Sequence, residues 1–157
     1  MPGLLWPDFW SSYPRPFDKM RHPLHPVLVH FPVTCWSLAV FADFASIWLE
    51  EAAWRWSGGL LTIGCTMALP AMLAGMIELS RVPEGVAMRH AWAHMGAMLC
   101  AFTFFSLRLL LRLDQLQPLG PNTLSLVLDT GGFLSLVIGG WLGGKLVYGY
   151  GVGQDQR

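Results

Sequence analysis

Four stretches of the chain, residues 26–49, 58–79, 88–111 and 124–148, are apolar almost without interruption. Each is long enough for the ~20 residues that cross a bilayer as helix. Apolar positions do not alternate with period two in any of them. Backbone groups cannot go unpaired in lipid, so helices rather than barrel strands must satisfy them. The connections are short and polar: residues 50–57 carry Glu50, Glu51 and Arg55, residues 80–87 carry Pro83 and Gly85, and residues 112–123 carry Pro118, Gly120 and Pro121. Such connections set successive helices antiparallel. The pattern predicts an all-α fold, an integral membrane antiparallel four-helix bundle over residues 22–153. An N-terminal segment, 1–21, precedes it and a tail, 154–157, follows.

Composition fits this reading. Of 157 residues, 54% are hydrophobic and 13% charged, and the mean hydropathy is +0.45, against roughly 25% charged residues in soluble domains. Ten Lys and Arg balance ten Asp and Glu. No basic surface is left to neutralise a phosphate backbone, which argues against nucleic acid as a partner. Cys35, Cys65 and Cys100 stand apart inside apolar runs and form neither a CxxC pair nor a disulfide framework.

The first 25 residues have Asp8 where a secretory signal carries positive charge, and no apolar core, so a cleavable signal is not expected. Trp6, Phe9, Trp10, Tyr13 and Phe17 alternate there with Pro2, Pro7, Pro14 and Pro16, a strip suited to headgroup depth. With four crossings, the N-terminus, the second connection and the C-terminus share a side. That side holds Arg15, Lys19, Arg21, Arg81, Arg89, Lys145 and Arg157, against Arg55, Arg108 and Arg112 on the other. Seven against three puts both termini in the cytoplasm under the positive-inside rule.

The histidines gather at the terminus side: His22, His25 and His30 at the start of the first helix, His90 and His94 at the start of the third. The second helix returns Glu78 to the same pole, and ionisable groups near membrane spans are functional candidates. His90 and His94 are one turn apart on one face. His30 lies about a turn inside the first helix, at a depth comparable to His94. Two imidazoles from facing helices at one depth suit axial ligation of a haem iron, and with Glu78 they also suit Zn, Fe or Cu. The competing reading is a set of interfacial histidines bonded to water or to carbonyls.

Small residues mark close helix approach: Ser135, Gly139 and Gly143 form a row beside Gly140 and Gly144, and Gly64, Ala68, Ala71 and Gly75 surround Pro70, where a kink is expected. A flat macrocycle lying on the glycine row is the other use of such a surface. Asp43 and Asp129 belong to the opposite pole, where pairing with Arg55, Arg108 or Arg112 as structural ion partners is the leading reading and a proton path the other.

The segment HPLHPVLVHFPV, residues 22–33, resembles the opening signature of the bacterial family known as domain of unknown function 2231. Asp43, Gly75 with Glu78, His94, and GGKLVYGYGVG over residues 143–153 follow in matching order. The resemblance covers residues 22–153 and implies four membrane helices. Relatives similar to parts of chains fused to Rieske-type iron–sulfur domains hint at redox work, and no catalytic residue comes with the family. The expectation is a multi-pass protein of the bacterial inner membrane that binds haem b, or else a transition metal, and serves in electron transfer. Its site residues are His30 and His94, with His25, His90 and Glu78 nearby, and its partners are the lipid bilayer and a quinone or larger redox complex. The alternative is an accessory subunit of a larger membrane assembly with no chemistry of its own.

Overall fold

The computed structural model describes residues 24–80, 82, 84–114 and 117–153, so the aromatic N-terminal strip, His22 and the tail lie outside the described residues. Among the described residues, three helices are long and apolar enough to cross a membrane: α1 (Leu24–Leu79), α2 (Val86–Leu111) and α3 (Thr123–Gly144), the last continued by a π-helical turn, Lys145–Gly149. The four-helix bundle expected from hydropathy is therefore corrected to three helices. The reason lies in residues 50–57, which are not a loop. They are helical from Glu51 onward, and Arg55 pairs with Glu51 one turn back at 2.5 Å, an i,i+4 contact that supports helix.

The interruption is a single residue. Glu50 has φ 48° and ψ −131°, outside the helical region. A straight helix of 56 residues would reach about 84 Å, yet His25 donates a hydrogen bond to the Ala71 carbonyl at 2.8 Å. The Trp36 ring likewise packs on Gly64. Residues 24–49 thus turn back along residues 51–79, and α1 is a hairpin of two limbs. Pro32 and Pro70 both lie inside it with helical backbone angles, and the backbone leaves the helical region at Glu50. A side chain at positive φ is strained and glycine is not. Glu50→Gly is expected to raise stability by about 1 kcal/mol, read from unfolding in mixed micelles; an unchanged or lower value would mean that the turn holds no strain.

Gly85, at φ 109°, precedes α2, and Asn122 caps α3 by accepting from Ser125 N at 2.9 Å. Between these helices, β1 (Leu113–Asp114) and β2 (Gln117–Pro118) pair antiparallel, a feature the hydropathy pattern does not reveal.

The core joins both limbs of α1 to α2 and α3 through Trp36, Ala39, Val40, Leu61, Ala68, Ala101, Phe105 and Leu136. Trp36 stacks on Phe105 with centroids 4.9 Å apart. Rings seat on glycines of a facing limb or helix: Trp36 on Gly64 between the limbs of α1, and Phe105 on Gly132 and Phe104 on Gly131 between α2 and α3. Gly139 meets Met98 and Ala97, and Gly143 meets His94, so the glycine row of α3 faces α2 as tight helix packing requires. Trp48, Trp56, Leu110 and Trp141 point outward with many other large apolar side chains, the surface a bilayer covers.

Candidate functional site

Polar side chains collect at the two ends of this core. At the end nearer the chain termini, His25 on the first limb of α1 and His94 on α2 come together, with ring centroids 6.3 Å apart and planes at 86°. Each ring is seated in the same way. His25 Nδ1 donates to the Ala71 carbonyl, and the ring lies against Gly75, one turn further on. His94 Nδ1 donates to the Gly139 carbonyl at 2.8 Å, and its ring lies against Gly143, again one turn further on. A Cβ on Gly75 would meet His25 Nδ1 at 2.9 Å, and one on Gly143 would meet His94 Cε1 at 3.1 Å. The glycines make room for imidazoles.

This seating fixes the tautomers. A carbonyl can only accept, so Nδ1 carries the proton, and in the neutral form of either ring Nε2 keeps its lone pair. An Nδ1–H bonded to a carbonyl is also the usual arrangement behind a metal-ligating histidine.

The other expected site residues are placed differently. His30 is exposed, and its Nδ1 donates to the Pro26 carbonyl of its own helix at 2.5 Å, so the structure pairs His94 with His25 and not with His30. His90 Nδ1 lies 2.9 Å from the Val86 carbonyl and 3.2 Å from the Tyr150 hydroxyl, with the two rings 5.1 Å apart, which ties α2 to the segment after the π-helical turn. Glu78 Oε1 accepts from the backbone N–H of His25 at 3.2 Å. That N–H belongs to the first turn of α1, where helix donors lack partners, so Glu78 caps the first limb from the second. Among the described residues, no group of three or more His, Cys, Asp and Glu is arranged to hold a metal ion.

The opposite pole is a buried ion network. Arg108 Nη2 donates to Asp43 Oδ2 at 2.8 Å and Arg108 Nε to Asp129 Oδ2 at 3.3 Å, while Arg112 Nη1 reaches Asp43 Oδ1 at 3.4 Å and Ser57 Oγ at 2.9 Å. The Arg108, Asp43 and Asp129 side chains have no exposed surface. These bonds join both limbs of α1 to α2 and α3. Of the three partners open to the aspartates in the sequence, Arg108 and Arg112 are the ones used; Arg55 stays outside on Glu51. Arg112 also sits 5.3 Å from the Trp54 ring centroid, over Gly58. Burial lowers its pKa from the ordinary arginine value, and the neighbouring Asp43 charge opposes that shift.

The ring seats do not follow from histidine spacing alone. Their signal was present in Gly75 and Gly143, each four residues beyond the carbonyl that the histidine meets. At both positions the glycine leaves the space over the next turn that the imidazole ring occupies.

Comparison with curated proteins and with solved structures finds no match. The family model described as a predicted membrane protein, DUF2231, matches residues 21–156. That match covers all the described helices, and the chain belongs to the DUF2231 family of predicted membrane proteins.

Proposed function

We propose that this membrane protein binds haem through the imidazoles of His25 and His94 and serves in electron transfer. The observation that carries the reading is the pair of rings with Nδ1 committed to the Ala71 and Gly139 carbonyls, which leaves two basic Nε2 atoms on neighbouring helices. The two ring centroids lie 6.3 Å apart on neighbouring helices, and their Nε2 atoms would be the groups that hold a metal ion there. Two protein donors suffice where a macrocycle supplies the rest, whereas a bare zinc site takes three or four. The donor set therefore favours haem b over a bare transition metal. When bound, haem supplies one-electron chemistry.

The chain's own residues would hold ring orientation. Glu78 fixes the start of the limb that carries His25, and Gly143 lets the His94 ring approach α3. A quinone or a larger redox complex in the bilayer is the fitting electron partner, because one haem at one pole does not span a ~30 Å hydrocarbon core.

The test is a haem titration of the purified full chain, followed by visible spectroscopy with metal analysis. A low-spin spectrum at one haem per chain supports the reading. A protein that stays colourless and metal-free overturns it and leaves the accessory-subunit alternative.

We further read the two limbs of α1 as separate crossings, giving four in all, with both termini on the cytoplasmic side of the bacterial inner membrane. Support comes from the limb lengths, 26 and 29 residues or about 39 and 44 Å of helix, and from the seven-to-three basic count. A reporter active only in the periplasm, fused after Arg157, is expected to stay silent. Activity there would reverse the orientation.

A further inference from the structure

At the pole away from the histidines, two carboxylates share one edge of one guanidinium. Nε and Nη2 of an arginine form the fork that ordinarily seats both oxygens of a single carboxylate. In Arg108 this fork is divided: Nη2 holds Asp43 Oδ2 and Nε holds Asp129 Oδ2. The two oxygens therefore lie side by side on adjacent donors, inside a pole where neither aspartate has exposed surface.

Two negative charges at that separation repel strongly, and a carboxylate pair on one site relieves the repulsion by holding a proton between them. The rest of the network shows which partner is anionic. Asp43 uses both oxygens, one on Arg108 and one on Arg112. Asp129 uses one, and its Oδ1 is buried with no hydrogen-bond partner. A buried ionised carboxylate with a bare oxygen is costly, and the neutral acid much less so. The charged groups facing the pair are Asp43 from α1, Arg108 from α2 and Arg112 at the α2 C-terminus; within α3 the nearby polar side chain on the same face is Ser125, which bonds Asn122 instead.

We infer that Asp43 and Asp129 form a proton-binding dyad at the membrane pole opposite the histidines, one proton per chain, with Asp43 as the anion held by the arginines and Asp129 as the acid. The step is the simple uptake of one solvent proton by one carboxylate. Neither haem nor His25 nor His94 takes part, so the inference is independent of the proposed function.

Infrared difference spectroscopy of the full chain in lipid vesicles tests it. Ordinary aspartates are ionised above about pH 6, so a carboxylic-acid C=O band at neutral pH identifies the dyad. The wild type is expected to show one such band, to shift it on incorporation of 13C-carboxyl aspartate, and to lose it in both Asp129→Asn and Asp43→Asn. Loss in Asp43→Asn follows because a lone Asp129 would pair with Arg108 as the anion. Absence of an aspartate acid band in the folded wild type overturns the inference whatever the variants do. So does a band lost in Asp129→Asn but kept in Asp43→Asn, which would make the proton a property of Asp129 alone.

Discussion

Arg108→Ala is expected to cost about 3–5 kcal/mol, the range seen when one partner of a buried charge pair is removed. Arg108 is the residue that joins Asp43 on α1 to Asp129 on α3, and both carboxylates are without exposed surface. Without the guanidinium, Asp43 keeps only its longer 3.4 Å contact to Arg112, and Asp129 loses its ion pair with Arg108. Water cannot replace the arginine cheaply in a pole where the Arg108, Asp43 and Asp129 side chains have no exposed surface. Unfolding of the purified chain in mixed micelles reads the effect. A loss below about 1 kcal/mol, as for an exposed pair, would mean that this pole is wet. Arg55→Ala serves as the internal comparison, since its bond to Glu51 is two-thirds exposed and is expected to contribute little.

Gly64→Val is expected to cost about 3 kcal/mol, the upper part of the range for overpacking a well-filled core. A Cβ at this position would fall 2.6 Å from Trp36 Cδ1 and 2.7 Å from its Nε1. The indole cannot retreat, because it is stacked on Phe105 at 4.9 Å and is 1% exposed. The same bulk at Gly139 would meet the Met98 thioether, which is unbranched and can rotate away. Thermal melts of the two variants should therefore separate clearly, with Gly64→Val far lower. Equal melts would show that the limbs of α1 move apart as freely as α2 and α3.

Much of this architecture could be read from the residues. The spans predicted at 88–111 and 124–148 appear as Val86–Leu111 and as Thr123–Gly144 with its π-helical turn, because long uninterrupted apolar runs leave a membrane helix no alternative. The reversal after the first span was misjudged in form. Glu50, Glu51 and Arg55 read as a loop because they are charged, but an i,i+4 pair is as much at home on an exposed helix, and the turn contracts to one residue.

The gathering of the histidines at one pole was legible, but which rings meet was not. Depth along the helix matches His30 to His94, but depth ignores direction around the helix. His25 and His30 are five residues apart, about 140° around the axis. His25 shares its side of the limb with Pro32, Trp36, Ala39 and Asp43, the residues that turn inward, and His30 does not. Heptad spacing from His25 through Pro32, Trp36 and Ala39 to Asp43 was the available signal. At the other pole the aspartates and arginines were identified correctly, but their shared fork depends on how three helices converge, which no spacing within one helix encodes.

The central claim, that His25 and His94 form the ligand pair, is tested most directly by comparing haem binding in three single variants of the full chain. His25→Ala and His94→Ala are each expected to abolish the low-spin spectrum while retaining the helical circular dichroism of the wild type, and His30→Ala is expected to bind as the wild type does. Loss of the low-spin spectrum in His30→Ala with retention in His25→Ala would contradict the account and return the ligand role to His30.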